Sequence, residues 1–359
     1  MKLALCTGGG DAPGLNAVIR SVVLSATRRG WEVFGSKRGF GGFLGDAQII
    51  PLGPEEVSGI THLGGTILGT TSRGDPFRWP QLQLDGAWAE VDRSDEVVKS
   101  FHERGFDAMI VVGGDGSLRI ANELGKKGIP IVGVPKTIDN DVLGTDVTFG
   151  FDTAVSTATD AIDRLHSTAQ SHERVLVVEL MGRYAGWIAL NAGLAGTADV
   201  ILIPEIPFDF ESVCEKIRQR EATGKPFSIV VVAEGAVPRD GQVSVKESAS
   251  AGVGERLGGV AEVVASYISE HTGKDTRTLT LGHLQRGGPP TTFDRLLALR
   301  FGVAAVRAVE AGRFGEMVAL VPPGVISVPI EASVGKLKKV PLSGDTVQTA
   351  RDLGISLGD

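Results

Sequence analysis

Residues 2–30 contain the sequence KLALCTGGGDAPGLNAVIRSVVLSATRRG, and this stretch decides the fold. The run from Lys2 to Cys6 predicts a short apolar strand, and the glycines that follow it predict a tight turn. From about Leu15 to Arg29 the apolar residues recur at helical spacing, which predicts a helix. A strand, a glycine-rich turn and a helix in this order form the repeating unit of an α/β protein.

The same order of elements recurs along the rest of the chain. Near-continuous runs of valine and isoleucine predict buried strands at 108–112, 129–134, 174–180 and 227–235. Because helical patterns alternate with these runs, we expect parallel strands covered by helices on both faces. The predicted fold class is therefore α/β, with two doubly wound, mainly parallel sheets and the active site between them. The stretch from Val328 onward has a strand- and turn-like pattern.

Length, charge and cysteine content limit the possible classes of function. A chain of 359 residues is long enough for about two domains. Its 36 basic and 43 acidic residues give a net charge of −7, which disfavours a nucleic-acid partner. The apolar stretch 185–204 contains polar residues and is a poor candidate for a membrane span. Cys6 and Cys214 form no disulfide framework and indicate a reducing compartment, so we expect a cytoplasmic protein.

Two glycine-rich turns follow predicted strands. Residues 8–14 (GGGDAPG) and 113–117 (GGDGS) each contain an aspartate, and both would lie at the carboxyl end of a strand. Backbone N–H groups of such turns bind phosphate oxygens, and Asp115 is a hard oxygen ligand that suits Mg²⁺. The first turn matches neither the dinucleotide-binding nor the Walker signature. A tight turn without a ligand, with Ser117 as a helix cap, is the alternative.

A third polar segment, 135–141 (PKTIDND), follows the strand at 129–134 directly. Two aspartates this close either share a metal ion or divide their roles, with one of them as general base. A solvated acidic turn is the alternative. Arginines near the predicted strand ends suggest bidentate binding of phosphate, although surface ion pairs would use the same side chains. These residues are Arg174, Arg183, Arg277 and Arg286.

Taken together, five segments resemble the signatures of the 6-phosphofructokinase family, in the order that the family has them. The similarity covers roughly Lys2 to Val321, and the family fold consists of two doubly wound α/β domains with the site between them. Its members transfer a phosphoryl group from a nucleotide, or in some branches from pyrophosphate, to the 1-hydroxyl of fructose 6-phosphate. The resemblance therefore implies a glycolytic kinase with ATP as co-substrate and Mg²⁺ as cofactor. The segments are GGDAPG (9–14), GGDGS (113–117), TIDND (137–141), MGR (181–183) and GHLQRGG (282–288).

The resemblance also implies roles for individual residues. Asp139 would be the general base toward the sugar hydroxyl, while Thr137 and Arg183 would steady the transferring phosphoryl group. Asp115 would bind Mg²⁺ on the donor phosphates. The donor site would consist of Gly9, Arg73, Gly114, Asp115, Gly116 and Ser117. The sugar phosphate would contact Thr137, Asp139, Arg174, Met181, Gly182, Arg183, Glu234, Arg277, His283 and Arg286.

The same resemblance implies a domain division and an oligomer. Residues 1–149 with about 284–335 would form the donor-binding domain, and 150–283 with about 336–359 the sugar-phosphate-binding domain. In the family, the residues that match Arg174 and Arg277 reach in from a neighbouring subunit. We therefore expect a homodimer or homotetramer with sites shared between subunits.

Two positions bear on the choice of phosphoryl donor. Lys136 stands where allosteric bacterial members have glycine, and it resembles the pyrophosphate-using and mixed branches of the family. Pyrophosphate users typically have aspartate where this chain has Gly116, so the combination resembles the mixed branch that uses ATP. A pyrophosphate-dependent enzyme on the same scaffold remains one alternative, and a non-catalytic phosphate-sensing subunit is another.

Overall fold

The computed structural model describes residues 1–82, 86–247 and 256–359. The strands are β1 Lys2–Thr7, β2 Glu32–Ser36, β3 Ile49–Leu52, β4 Trp79–Leu82, β5 Trp88–Val91, β6 Ala108–Gly113, β7 Ile131–Pro135, β8 Val175–Leu180, β9 Val200–Leu202, β10 Ser228–Ala233, β11 Val245–Glu247, β12 Arg256–Leu257, β13 Thr276–Thr280, β14 Glu316–Val321 and β15 Gly324–Pro329. The α-helices are α1 Leu15–Thr27, α2 Ser94–Glu103, α3 Asp115–Lys126, α4 Phe151–His172, α5 Trp187–Ala195, α6 Phe210–Ala222, α7 Val260–Thr272, α8 Thr292–Glu310, α9 Ile330–Ser333 and α10 Asp345–Asp352. Short 3₁₀ helices lie at Gly39–Gly42, Pro76–Arg78 and Gly282–Arg286.

The first sheet has seven strands in the order β15-β14-β7-β6-β1-β2-β3. Its inner strands, from β14 to β2, run parallel, whereas β3 and β15 pair with the edges in the antiparallel direction. The register places Leu3 of the central strand β1 opposite both Val33 and Ala108. This sheet is the mainly parallel sheet that the sequence pattern predicts.

The second sheet has four strands in the order β13-β8-β10-β9, all parallel. Val177 of β8 lies opposite Val230 on one side and Thr278 on the other. Two short antiparallel hairpins, β4-β5 and β11-β12, stand apart from both sheets. The predicted architecture of two doubly wound sheets is confirmed. No helix in the described parts of the chain is long and apolar enough to cross a membrane.

Apolar side chains cover the first sheet on both faces. Successive residues of a strand point to opposite faces, so β1 contributes to two different cores. Leu3 and Leu5 pack into a core with α1 and α8, while Ala4 and Cys6 pack into another with α2 and α3. A strand that is buried on both faces must be apolar at every position, which explains why the valine and isoleucine runs show no alternation.

The order of the inner strands brings the three polar segments together. β6 lies between β1 and β7, and the three strands run in the same direction. Their carboxyl ends therefore meet at one edge of the sheet, which is where ligands bind in open α/β sheets. α3 begins directly after β6, with Gly114 as its N-cap and no side-chain hydrogen bond at that cap. The alternative reading of Ser117 as the helix cap is therefore wrong.

The C-terminal part differs from the strand- and turn-like pattern expected from Val328 onward. β15 does end at Pro329, but α9 and α10 that follow are helical. Only Val347 and Ala350 of the eight residues of α10 are buried, and one such pair is too short a pattern to predict a helix. Residues 334–344 run from the first sheet to the second, where α10 packs against α5.

Candidate active site

A cavity of about 420 Å³ lies at the carboxyl ends of β1, β6 and β7. Its walls include residues from all three polar segments, and loop residues between Thr71 and Asp75 close another side. The structure thus brings together most of the residues predicted to bind a donor. The predicted site residues that line the cavity are Gly9, Gly114, Asp115, Gly116, Ser117, Lys136, Thr137 and Arg286.

Glycine is required where the first two turns meet. A Cβ atom at Gly8 would lie 2.8 Å from Oγ of Ser117, and one at Gly113 would lie 2.3 Å from Cβ of the same serine. Both turns therefore approach Ser117 more closely than any other residue type allows. Gly116 differs, because a Cβ built there meets no atom within 4 Å. The space beside Gly116 is open, and it belongs to the cavity.

Lys136 is the buried cation of the third segment. Its Nζ donates a hydrogen bond to the backbone oxygen of Gly10, which ties the segment after β7 to the turn after β1. Burial, together with the positive charge of Arg286, lowers the pKa of Lys136 to about 8. At neutral pH most Lys136 side chains keep their charge, which suits the binding of phosphate groups.

Asp139 is a partly buried carboxylate in the third segment. Among the residues that the structure describes, none donates a hydrogen bond to Oδ1 of Asp139. Burial and the charge of Asp141 raise the pKa of Asp139 to about 6, while Arg286 and Lys136 oppose the rise. The backbone N–H of Asp139 donates to Oγ1 of Thr137 over 3.1 Å. A carboxylate of this kind can take a proton from a bound hydroxyl group.

Glu234 follows β10 and belongs to the second sheet. Burial raises the pKa of Glu234 to about 7, and the charges of Asp139 and Glu179 contribute to the rise. The positive charges of Arg286 and Arg183 oppose it. The charges of residues that follow strands of both sheets therefore act on the same carboxyl group.

Two of the segments predicted to contact a sugar phosphate touch each other. The backbone N–H of Met181 donates to Oε1 of Gln285 over 3.3 Å. The next residue, Gly182, has φ +141°, and a Cβ atom there would lie 2.9 Å from the backbone oxygen of Ala185. The turn after β8 therefore needs glycine at this position. The MGR and GHLQRGG segments are neighbours in the fold.

The donor set at Asp115 fits a hard cation held mainly by a ligand's phosphates. Oδ1 of Asp115 accepts a hydrogen bond from the backbone N–H of Gly335 over 2.9 Å. A second carboxylate, Asp141, faces the same cavity, and the charge of Asp115 contributes to the raised pKa of Asp141 after burial. Within the described ranges, no group of three or more His, Cys, Asp or Glu residues could hold a metal ion. Mg²⁺ typically binds through one or two carboxylates together with substrate phosphates, so the residues present suit it.

Several predicted site residues do not line the cavity. Five of them are buried or partly buried outside its wall: Asp139, Met181, Gly182, Arg183 and Glu234. Arg73 is exposed and does not line it, although Ser72 and Gly74 do. Arg174 and Arg277 lie beside the edge strand β13, where both form ion pairs with Asp275 at 2.5 and 2.6 Å. His283, in the 3₁₀ helix Gly282–Arg286, is exposed.

The sequence analysis missed several residues of the cavity wall. Tyr184 lines it and stacks under the guanidinium of Arg183, 5.1 Å from ring centroid to Cζ. Asp75 and Arg119 form a 2.8 Å ion pair at its wall. The spacing of Arg119, one helical turn after Asp115, could have indicated its place. No local signal indicates Leu337, which lines the cavity from the C-terminal segment.

A polyanion is the ligand that this geometry suits best. The N-terminus of α3 points its backbone N–H groups at the cavity, and Lys136 and Arg286 add positive charge to its wall. Asp139 lies beside these cations with an oxygen free to accept a proton. The arrangement can bind phosphate groups and deprotonate a hydroxyl group placed next to them.

Comparisons with known proteins agree with this chemistry. A family model described as Phosphofructokinase matches residues 2–309. The chain is 53% identical over 361 residues to the ATP-dependent 6-phosphofructokinase of Chloroflexus aggregans, a match that covers 100% of this chain and 98% of that relative.

Solved structures show the same fold. Pichia pastoris phosphofructokinase in the T-state superposes with a TM-score of 0.79 at 30% identity; the match covers 100% of this chain but spans only 38% of that longer chain. A pyrophosphate-dependent phosphofructokinase from Nitrosospira multiformis has a TM-score of 0.80 at 22% identity, with 100% of this chain and 92% of that one covered. At that identity, the second likeness bears on the fold alone.

Proposed function

The chain belongs to the phosphofructokinase family, and from this membership we propose that it transfers the γ-phosphoryl group of ATP to the 1-hydroxyl of fructose 6-phosphate. The products are fructose 1,6-bisphosphate and ADP, a reaction of glycolysis. The observation that supports this reaction most directly is the full-length match to an ATP-dependent 6-phosphofructokinase at 53% identity. The geometry of the cavity supports the roles of the individual residues.

Asp139 acts as the general base in this proposal. Its carboxylate has a pKa of about 6, so it is mostly ionised at pH 7, and its Oδ1 has no hydrogen-bond partner among the described residues. The 1-hydroxyl of the sugar donates to that oxygen and loses its proton as the phosphoryl group arrives. Thr137 and Arg183 steady the transferring group, whose charge must be balanced throughout the transfer.

The donor phosphates occupy the cavity beside α3. Gly9, Gly114, Gly116 and Ser117 contact them through backbone and hydroxyl groups, and Lys136 neutralises part of their charge. Arg73, next to cavity residues Ser72 and Gly74, completes the donor site when it turns inward. Asp115, whose Oδ1 accepts a hydrogen bond from the backbone N–H of Gly335, would hold Mg²⁺. When bound, Mg²⁺ supplies charge neutralisation on the donor phosphates.

The sugar phosphate binds between the two sheets. Glu234, Met181 and Gly182 contact the sugar ring, and its 6-phosphate is bound by His283 and Arg286. Of these, Arg286 also lines the donor cavity, which supports a position for it between the two substrates. The proposal includes a donor-binding domain of residues 1–149 with about 284–335 and a sugar-phosphate-binding domain of 150–283 with about 336–359.

Arg174 and Arg277 serve the active site of a neighbouring subunit. Arg277 belongs to the edge strand β13 and Arg174 precedes the neighbouring strand β8, and both guanidinium groups form ion pairs with Asp275. Side chains at an exposed edge can enter another subunit's site once two copies associate. A homodimer or homotetramer therefore completes the sugar-phosphate site.

A cytoplasmic location is part of the proposal. Both cysteines, Cys6 and Cys214, are free and buried. Free thiols are typical of reducing compartments, where glycolytic enzymes work.

The decisive experiment is coupled turnover of fructose 6-phosphate with ATP and with pyrophosphate in parallel. We expect turnover with ATP, and Asp139→Asn as the control should abolish most of it. Turnover with pyrophosphate but not with ATP would show that pyrophosphate is the phosphoryl donor. Tight sugar-phosphate binding without turnover on either donor would instead support a non-catalytic phosphate-sensing subunit.

A further inference from the structure

Residues 334–340 of the C-terminal segment pass beside the loop that contains Asp139. Leu337 lines the donor cavity and forms an antiparallel bridge with Val142. The next residue, Lys338, is partly buried, and its side chain reaches the loop 140–146. Neither the motifs of the sequence nor the proposed mechanism gives this lysine a role.

The ammonium group of Lys338 donates three hydrogen bonds to this loop. Its Nζ lies 3.0 Å from Oδ1 of Asn140, 3.2 Å from the backbone oxygen of Thr145 and 2.6 Å from that of Asp146. A lysine ammonium has three donors, so all of its hydrogen-bonding capacity is spent on this one loop. Holding a long lysine side chain in one conformation costs side-chain entropy. The three bonds to one loop offset that cost and keep the ammonium group in place.

Asn140 is the point at which this network reaches the active site. It directly follows Asp139 and has φ +52°, a left-handed conformation that asparagine adopts more readily than most other residues with a side chain. Oδ1 of Asn140 accepts one hydrogen bond from Lys338 and another from the backbone N–H of Thr148 at 3.2 Å. These two bonds tie the side chain of Asn140 to the C-terminal segment on one side and to Thr148 on the other.

The backbone of Lys338 also forms two hydrogen bonds, one with the loop after Asp139 and one with the first residue of α5. Its N–H donates to the backbone oxygen of Asp141 over 2.9 Å. Its carbonyl oxygen accepts from Nε1 of Trp187 over 2.9 Å, and Trp187 begins α5 of the second sheet's layer. The ammonium also lies 5.4 Å from the centroid of the Trp187 ring. Lys338 therefore links the loop after Asp139 to the part of the protein that carries the sugar-binding turn.

We propose that Lys338 is a positioning residue: through Asn140 it fixes the backbone on which Asp139 presents its carboxylate to the sugar hydroxyl. The inference rests on the proposed function of Asp139 as general base. It predicts an effect on the chemical step rather than on substrate affinity, since Lys338 contacts neither the phosphate-binding turns nor the MGR segment in the bonds described above.

The test compares Lys338→Met with Lys339→Met, a matched control because Lys339 is adjacent and exposed. We expect Lys338→Met to lower kcat with ATP and fructose 6-phosphate by about 10²-fold, the order of loss that follows a displacement of about 1 Å in a reacting group. The KM values of both substrates should change little, and Lys338→Arg, which keeps charge and donors, should recover much of kcat. Lys339→Met should behave as the wild type.

A double-mutant cycle with Asn140→Gly separates positioning from simple structural support. Glycine tolerates the left-handed backbone but removes the oxygen that Lys338 binds. If Lys338 acts through Asn140, the double variant should lose no more kcat than the more impaired single variant. Additive losses, or an Asn140→Gly variant with normal kcat, would overturn the proposal.

The failure of this inference is distinguishable from the failure of the proposed function. Wild-type protein without turnover on ATP or pyrophosphate would refute the proposed function, and the Lys338 proposal would lose its premise. Active wild type with an unchanged Lys338→Met would refute positioning alone, as would a loss that appears only as a lower fraction of folded protein. Should Lys338→Met fail to fold, Lys338→Gln, which keeps two amide donors, replaces it with the same criteria applied to kcat.

Discussion

Asp139 is surrounded by charges that act on it in opposite directions. Burial and the carboxylate of Asp141 raise its pKa to about 6, while Arg286 and Lys136 hold it below the value that burial would otherwise give. The result is a base that is ionised at neutral pH yet basic enough to accept a proton during the transfer. Because the pKa of Asp139 is raised, its ionised carboxylate lowers the stability of the folded state at neutral pH.

The first prediction concerns the pH dependence of catalysis. Because Asp139 must be ionised to accept the proton, kcat/KM for fructose 6-phosphate should fall as the pH falls through about 6. The measurement is a pH profile at saturating ATP, with a Mg²⁺ excess at every pH. A profile that stays flat down to pH 5 would contradict the assignment of Asp139.

The second prediction concerns removal of the base. Asp139→Asn should lower turnover by about 10²–10⁴-fold while sugar-phosphate binding persists. An Asp160→Asn variant, changed at an exposed position of α4, is the control and should retain full turnover. Near-normal turnover of Asp139→Asn would exclude the role.

Asp139→Asn should also be more stable than the wild type above pH 6. The folded-state pKa of about 6 exceeds the unfolded value of roughly 3.9, so the folded protein binds the proton more tightly. The wild type therefore loses stability as the pH rises from about 4 through 6, and asparagine has no such loss. The thermal midpoint of the variant should exceed that of the wild type at pH 8, and the difference should shrink toward pH 4.

The third prediction concerns donor choice at Gly116. A side chain fits there because a Cβ meets nothing within 4 Å, and it would project into the donor cavity. Gly116→Asp should lower kcat/KM for ATP steeply, because two like charges 4 Å apart repel by about 4 kcal/mol at an effective dielectric near 20. Pyrophosphate, with Lys136 kept, should suffer less. Gly116→Asn, of equal size and no charge, isolates the electrostatic part; unchanged ATP use in both variants would remove the physical basis of the donor assignment.

At the residue scale, the sequence indicates those site residues that follow strands directly. Asp115, Lys136 and Thr137 come immediately after the ends of β6 and β7, so local order predicts where they lie. Lys338 and Leu337 approach the same loop from about 200 positions further along the chain. Such contacts depend on the tertiary path of the C-terminal segment, which no local pattern contains.

At the scale of elements, helix packing explains the opposite effects expected from one kind of substitution. α1 and α8 approach so closely that a Cβ at Gly302 would lie 2.0 Å from Oγ of Ser21 and 2.8 Å from the backbone oxygen of Val18. Gly125, near the end of α3, has no atom within 4 Å of its Cβ position and no positive φ. Close helix packing therefore requires glycine at position 302, whereas a side chain at position 125 would meet no neighbouring atom.

The fourth prediction follows from that difference. Gly302→Ala should destabilise the fold by about 1–3 kcal/mol, since overpacking forces the two helices apart. Gly125→Ala should stabilise it by about 0.5–1 kcal/mol, because alanine has the higher helix propensity and a less flexible unfolded state. Urea denaturation of both variants measures the signs. Equal shifts in the same direction would show that the α1–α8 contact does not depend on Gly302.

Hydrophobic patterning predicts the strands that are buried on both faces, but it does not predict the strands and the helix that are only partly buried. The runs that became β6, β7, β8 and β10 consist almost wholly of buried residues, so they stand out in the sequence. The antiparallel edge strands β3 and β15 are only partly buried and were not separated from loops. α10 was missed for the same reason, since most of its residues face solvent. Burial produces the signal, and partial burial weakens it.

At the scale of the whole molecule, one surface suggests that a single chain is incomplete. β13 is an edge strand whose residues from Arg277 to Thr280 are exposed, and an exposed edge is an open template for pairing. Large apolar side chains in β13 and in the elements that follow it in the chain are also exposed, as side chains buried between two copies would be in a single chain. They are Leu279, Leu284, Phe293 and Leu296.

The last prediction tests sharing of the active site between subunits. Arg174→Ala should mainly raise the KM for fructose 6-phosphate, because a charge-assisted contact of roughly 1.5–3 kcal/mol is lost. When the Arg174→Ala and Asp139→Asn proteins are refolded together, the mixture should be more active at low sugar phosphate than either variant alone. If Arg174 enters the neighbour's site, each hybrid dimer has one site with both changes and one with neither. Random mixing then restores about a quarter of wild-type activity at low sugar phosphate, since half of the dimers are hybrids with one intact site each. Hybrids of proven composition without this gain would place Arg174 in the site of its own chain, where its ion pair with Asp275 would have to break first.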